Sequence, residues 1–113
     1  MHELSITEGI LKLAMEKANE AGAKRITKVS MVIGELSGLV DDCVRFYFEV
    51  LAKDTMAAGA EMTFEIRPVT ARCGACGVLY TPEEMDWACP SCGKAAAEVT
   101  GGRECYMDSI EVD

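Results

Sequence analysis

Three shortages in this chain of 113 residues each remove a class of function. Its one histidine, His2, stands at the terminus, where no Ser, His and Asp constellation is available, and no phosphate-cradling glycine loop follows a strand; the chain is not expected to be an enzyme. Positive charge is scarce as well. Eleven basic residues against nineteen acidic ones give a net charge of −8, which repels phosphate backbones and argues against a nucleic-acid partner. No apolar run is long enough to cross a bilayer, and Met1-His2-Glu3-Leu4-Ser5 carries no basic region ahead of an apolar stretch. Neither a membrane span nor a secretory signal is expected, and the chain reads as cytoplasmic.

Half of the residues are hydrophobic, enough for one compact core, or for a small domain with a stapled appendage. Ile6, Ile10, Leu13, Ala14 and Ala18 recur at helical spacing and predict a first helix over 4–21, with Ser5-x-x-Glu8 as a capping box and Gly22 as its stop. Residues 25–33 alternate as a strand, with Val29, Met31 and Ile33 on one face, and Gly34-Glu35-Leu36-Ser37-Gly38 breaks it. Asp41 and Asp42 then offer N-cap oxygens to a second helix running to about Ala52, with Val44, Tyr47, Phe48 and Leu51 as its core-facing stripe. Residues 61–67 are the clearest strand, with Met62, Phe64 and Ile66 inward, and Pro68 ends it. After Gly101-Gly102, read as a hinge, residues 103–112 form a last strand through Tyr106, Ile110 and Val112. The expected fold is α+β, two helices packed on a small three-stranded sheet. No internal repeat beyond the cysteine pairs is visible.

Cysteines decide what lies between. Cytosolic thiols are kept reduced, so six of them do not suggest a disulfide framework. Four are spaced Cys73-x2-Cys76-x12-Cys89-x2-Cys92, the pattern of a four-thiolate zinc site with each pair on a tight knuckle. Both pairs run into glycine, Gly77 and Gly93, where the backbone can turn around the sulfurs. A thioredoxin-like redox role would need one pair near a βαβ unit and leaves the second pair unexplained. Residues 70–100 hold too little aliphatic mass for a core of their own, so the lobe needs its metal to fold. A closed site has no open position for water, so this zinc is structural. Two domains follow: 1–69 plus 101–113 as an α/β domain, and 70–100 as an inserted zinc-ribbon-like lobe. Trp87, Leu79 and Tyr80 are expected to form its small core, with an exposed contact as the other reading. The lone Cys43 and Cys105 are expected to pack as small hydrophobes.

His2 stands one residue behind a terminal amine that survives when a bulky second residue blocks removal of Met1. Amine, imidazole and the first backbone amides, over Met1, His2 and Glu3, supply nitrogens for a flat chelate of the kind that selects Ni(II) or Cu(II). A histidine at position 2 is by itself commonly incidental. The carboxylates of Glu3 and Glu8 would help hold a cation at this end.

These segments together resemble a known family. Met1-His2-Glu3-Leu4-Ser5, Gly34-Glu35-Leu36-Ser37-Gly38, Phe46-Tyr47-Phe48-Glu49, the cysteine quartet, and Gly102-x-Glu104 with Ser109-Ile110-Glu111-Val112 look, in order over nearly the whole chain, like the HypA/HybF hydrogenase nickel-insertion accessory proteins. The resemblance implies a nickel metallochaperone that holds Ni(II) at Met1, His2 and Glu3 and passes it to the precursor of a [NiFe]-hydrogenase large subunit, working with a HypB-type nickel GTPase. Urease maturation proteins are the alternative clients. It also implies zinc at Cys73, Cys76, Cys89 and Cys92. Some members carry histidines beside the cysteine pairs; Gly77, Val78 and Gly93 stand there in this chain, which puts a ligand-switching role of the zinc in doubt. Glu35, Asp41 and Asp42 are candidate contacts for the GTPase, with solvated surface charge as the plainer reading. A nucleic-acid-binding zinc ribbon is the competing binding module, and the net charge disfavours it.

Overall fold

Ile10, Leu11, Ala14 and Ala18 repeat at intervals of three and four. In the computed structural model, which describes residues 2–84 and 86–113, they lie buried along helix α1 (His2–Glu20). The helix begins earlier than expected, because nothing in His2-Glu3-Leu4 breaks it and Glu3 suits the positive end of the helix dipole. Ser5 is consequently inside the helix and exposed, so the expected capping box is not formed. Thr7, fully buried, satisfies its hydroxyl by donating to the Glu3 carbonyl one turn back. Beyond Gly22 the chain turns, with the Ala23 N–H returning to the Ala18 carbonyl at 2.9 Å.

Strand β1 (Ile26–Gly34) buries Ile26, Val29, Met31, Val32 and Ile33, so its second half is covered on both faces. Helix α2 (Asp41–Ala52) buries Val44, Phe48 and Ala52. Its N-cap is Val40, with no side-chain hydrogen bond to the cap. Asp41 and Asp42 sit instead in the first turn, where the Asp41 carboxylate accepts the Asp42 N–H at 3.0 Å and both charges favour the dipole. Strand β2 (Glu61–Arg67) buries Met62 and half-buries Phe64, but Ile66, expected inward, is exposed. β2 is an edge strand, and its end has run beyond the helix-covered core.

The remaining strands are β3 (Thr70–Cys73), β4 (Leu79–Tyr80), β5 (Ala97–Gly101) and β6 (Cys105–Val112). They make two sheets of three strands, ordered β2-β1-β6 and β4-β3-β5. The last strand therefore returns to the first sheet, as expected. The α+β class holds: α1, α2, β1 and β2 share one core in which Met107 and Ile110 of β6 are partly buried.

The chain separates into two compact units. The first is Met1–Val32, Gly38–Glu65 and Tyr106–Asp113; the second is Ile33–Ser37 and Ile66–Cys105. In the second, β3 is central and antiparallel to both neighbours, pairing Ala71 with Tyr80 and Val99, and Arg72 with Leu79 and Glu98. Ala71 is buried and Leu79 exposed, which corrects the expectation of Leu79 in the lobe core: it shares its register with exposed Arg72. Tyr80 and Trp87 are half-buried, joined by the Tyr80 hydroxyl donating to the Trp87 carbonyl at 2.8 Å. Among the described residues no helix is long and apolar enough to cross a membrane.

Candidate metal centre

The four spaced cysteines converge. The Sγ atoms of Cys73, Cys76, Cys89 and Cys92 all lie within 4.8 Å of one another, with Cys73 to Cys92 and Cys76 to Cys89 each at 3.6 Å. A disulfide would require about 2.05 Å. Bonds of about 2.3 Å to one tetrahedral ion would place the sulfurs about 3.8 Å apart, so the quartet fits a single divalent metal.

Each cysteine pair folds the same way, and local backbone hydrogen bonds show why. In the first knuckle the Cys73 N–H donates to the Val78 carbonyl at 2.9 Å and the Gly77 N–H returns to the Cys73 carbonyl at 2.8 Å; in the second, Cys89 and Gly93 repeat this with Lys94 and Cys89 at 3.0 and 2.9 Å. The repeat demands a left-handed residue four places after each leading cysteine, and Gly77 and Gly93 provide it with φ of 81° and 77°. Within the second knuckle the N–H groups of Ser91 and Cys92 both point at the Cys89 sulfur from 3.4 Å.

Those donors divide the thiols by acidity. Cys73 is lowered by the backbone N–H groups of Cys76 and Ala75. Cys89 is lowered to about 6, first by the Cys92 N–H, against burial, and then by Ser91. Cys92 has the Lys94 N–H pulling it down, yet loss of hydration and the three neighbouring thiols push it up to about 11. One thiol of each pair is thus made more acidic by backbone N–H groups, whereas its partner is pushed up beside the neighbouring thiols. A bound cation overcomes that effect and draws all four into thiolate form.

The base of this unit is tied by residues whose role the sequence did not disclose. The Glu35 carboxylate accepts the Val69 N–H at 2.7 Å, and Glu104 accepts the Gly102 N–H at 2.7 Å. Its own N–H and that of Gly102 hold the Glu104 carboxyl below the usual carboxylate range. Gly34 donates to the Glu104 carbonyl, Glu35 to Arg67 and Leu36 to Gly102. A Cβ on Gly34 would fall 2.1 Å from the Gly102 carbonyl carbon, so the backbones meet where no side chain fits. Gly102, expected in a hinge, is buried within this packed junction.

Of the expected nickel ligands, Met1 and the side chain of His2 lie outside the described residues; the His2 backbone opens α1 and Glu3 occupies its first turn. Glu35 is committed to Val69, and Asp42 to Arg45 at 2.8 Å. Cys43 and Cys105 are both solvent-exposed, which corrects their expected burial: Cys43 falls on the outer side of α2, and Cys105 begins the edge strand β6.

The model of the family described as hydrogenase/urease nickel incorporation, metallochaperone, HypA matches residues 1–112. The chain belongs to the HypA family. It is 45% identical over 113 residues to the hydrogenase maturation factor HypA of Dehalococcoides mccartyi, covering all of this chain and 95% of that one. With the HypA of Caldanaerobacter subterraneus it shares 40% over 114 residues, and each chain is covered completely. A solution structure of a HypA protein superposes with a TM-score of 0.75 at 25% identity, covering 99% of this chain and 96% of the other. The HypA fold is further matched by the Ni metallochaperone from Helicobacter pylori, with a TM-score of 0.66 at 23% identity over 97% and 96% of the two chains.

Proposed function

We propose that this protein is a nickel metallochaperone: it takes up Ni(II) at its N-terminus through Met1, His2 and Glu3 and delivers it for maturation of [NiFe]-hydrogenase, while Cys73, Cys76, Cys89 and Cys92 hold a structural zinc. Membership of the HypA family over residues 1–112 is the observation that carries the reading. The zinc assignment is supported by four thiols at tetrahedral spacing, since soft thiolate donors favour zinc over magnesium or calcium. No position would be left open on that ion, so its part is to hold the lobe in shape. In this reading 1–69 with 101–113 form the nickel-binding domain and 70–100 the zinc-binding one.

The nickel site draws support from the start of α1. His2 opens the helix, and the first N–H groups of a helix have no intrahelical acceptor, so the His2 amide can become a ligand without breaking a helical hydrogen bond. Protons compete for amine, imidazole and amide nitrogens, so nickel affinity should fall steeply as pH drops. A terminal site can release its cargo ligand by ligand, which suits transfer to a deeper site. The protein moves a metal and catalyses no bond change. Its partners in this reading are a HypB-type nickel GTPase and the hydrogenase large-subunit precursor, in the cytoplasm.

The test is titration of Ni(II) into tag-free, zinc-loaded protein with Met1 intact. One nickel per chain with square-planar ligand-field bands is expected, lost in His2→Ala while the circular dichroism is unchanged. Nickel affinity indifferent to His2 would sink the N-terminal site. The family description names urease as well as hydrogenase, which favours a second client; capture with hydrogenase precursor against urease maturation proteins separates them.

A further inference from the structure

The four sulfurs that can share an ion also stand in pairs that can bond to each other. In each knuckle the leading cysteine, Cys73 or Cys89, is buried, and the trailing one, Cys76 or Cys92, is exposed. Each exposed thiol lies 3.6 Å from the buried thiol of the opposite knuckle, Cys92 from Cys73 and Cys76 from Cys89. A disulfide needs about 2.05 Å between its sulfurs, so side-chain rotation over about 1.5 Å would close either pair.

Chain topology favours the same pairing. A disulfide within one knuckle would close a ring of only four residues, Cys73–Cys76 or Cys89–Cys92, and would leave the two turns unconnected. The pairs across the knuckles are 19 and 13 positions apart, and closing the longer loop removes more freedom from the unfolded chain. Both would join the turns at the place where a shared ion joins them. In the second knuckle the Ser91 and Cys92 N–H groups already hold the Cys89 sulfur from 3.4 Å. Bonding of that sulfur to Cys76 does not require the turn to open. Cys43 in α2 and Cys105 at the start of β6 stand outside this group.

We infer that hydrogen peroxide converts the quartet into two disulfides, Cys73 with Cys92 and Cys76 with Cys89, so that the lobe exchanges its metal for covalent cross-links and keeps its fold. The exposed thiolate attacks peroxide first: an S–O bond forms, the O–O bond breaks and hydroxide leaves, giving a sulfenic acid. The buried thiolate of the opposite knuckle then attacks that sulfur. The S–S bond forms, the S–O bond breaks and a second hydroxide leaves; two protons from solvent turn both hydroxides into water. Each disulfide consumes one peroxide and two thiolates, and two disulfides leave the ion no thiolate ligand. The exchange rests on reading the quartet as a zinc site; the pairing of the sulfurs does not.

The test is hydrogen peroxide added in measured amounts to the zinc-loaded full chain. Zinc release to a colorimetric chelator should rise in step with disulfide formation, and a dithiol reductant with added zinc should restore the starting form. After denaturation, cleavage following Glu83 and Glu84 divides the cysteine pairs. The two halves should stay joined until reduced, and fragmentation of the joined peptide should show Cys73 with Cys92 and Cys76 with Cys89. Hydrogen exchange across 70–100 should stay slow in the oxidised, zinc-free chain. Cys43→Ser combined with Cys105→Ser removes the competing thiols and should leave each result unchanged. Halves that separate without reduction, Cys73 joined to Cys89, protection lost together with the zinc, or zinc retained under excess peroxide each overturns the exchange and leaves the zinc reading standing. A chain purified without zinc overturns both.

Discussion

The two units of this molecule solve the problem of staying folded by different means. In the first, Ile10, Leu11, Ile26, Val29, Met31, Val44, Phe48 and Met62 are buried together between helices and sheet. Each large side chain there contributes roughly 1.5–3 kcal/mol on removal from water. In the second, the buried hydrophobic residues among those described are Ile33, Val69, Ala71, Cys73 and Cys89, and two of these five are sulfur ligands of the quartet. Such a unit cannot offset its chain entropy by apolar burial alone. Its order rests on backbone hydrogen bonds around two knuckles and on whatever ion the sulfurs share. A hydrophobic core and a coordination site are thus kept in separate parts of one short chain, and each can be attacked without the other.

Removing the metal is the most severe way to test that separation. Structural zinc contributes on the order of 10–16 kcal/mol to small thiolate sites at neutral pH. A strong chelator should therefore abolish hydrogen-exchange protection across 70–100 and leave the amides of α1 and α2 protected; simultaneous loss in both would show that the units do not stand apart. The converse perturbation is Phe48→Ala, which empties a site exposed by only 1%. It should cost about 3–5 kcal/mol in urea unfolding of the helical unit. Zinc content by mass spectrometry should not change, and a loss of zinc would contradict independent stabilisation.

The smallest expected effect concerns Glu104. Its carboxyl is held below the usual range by its own N–H and that of Gly102, against burial and with help from Arg67. A depressed acid contributes stability that is complete above the unfolded carboxylate pKa of about 4.3. That contribution is lost as pH falls through the lower folded value. Protection of the Gly102 amide, corrected for intrinsic exchange, should follow that curve, and Glu104→Gln should flatten it. An unchanged profile would mean that the charge does not hold this loop.

Local rules read much of this fold from the sequence. Alternation located β2 at its observed ends, though it pointed Ile66 inward where the strand runs beyond the core and leaves it exposed. The stripe in α2 pointed Val44 and Phe48 inward, as they are. Cysteine spacing identified the quartet, since a shared ion dictates which residues must meet. Errors arose where a local rule had a tertiary competitor. Ser5 looked like a cap, yet the helix starts at His2. Leu79 was assigned to a core by its hydrophobicity, whereas register places it beside Arg72. Cys43 and Cys105 were read from residue type alone and turned out exposed. The functions of Glu35 and Glu104 were invisible because their acceptor bonds go to Val69 N–H and Gly102 N–H, one of them 34 residues away. The proposed N-terminal nickel site was read from residue chemistry alone, and titration is the measurement that decides it.

Adjacent residues on one loop grip both ends of the cysteine-bearing segment: Glu35 N–H holds the Arg67 carbonyl at 2.9 Å and Leu36 N–H holds the Gly102 carbonyl at 2.6 Å. The chain therefore leaves and comes back through a doorway framed by one short loop. Protein segments with such closely spaced ends tolerate transplantation and excision. A short turn joining Arg67 to Gly102 would yield a helical unit free of cysteine pairs, and the excised piece, given the same doorway elsewhere, becomes a portable metal-dependent module.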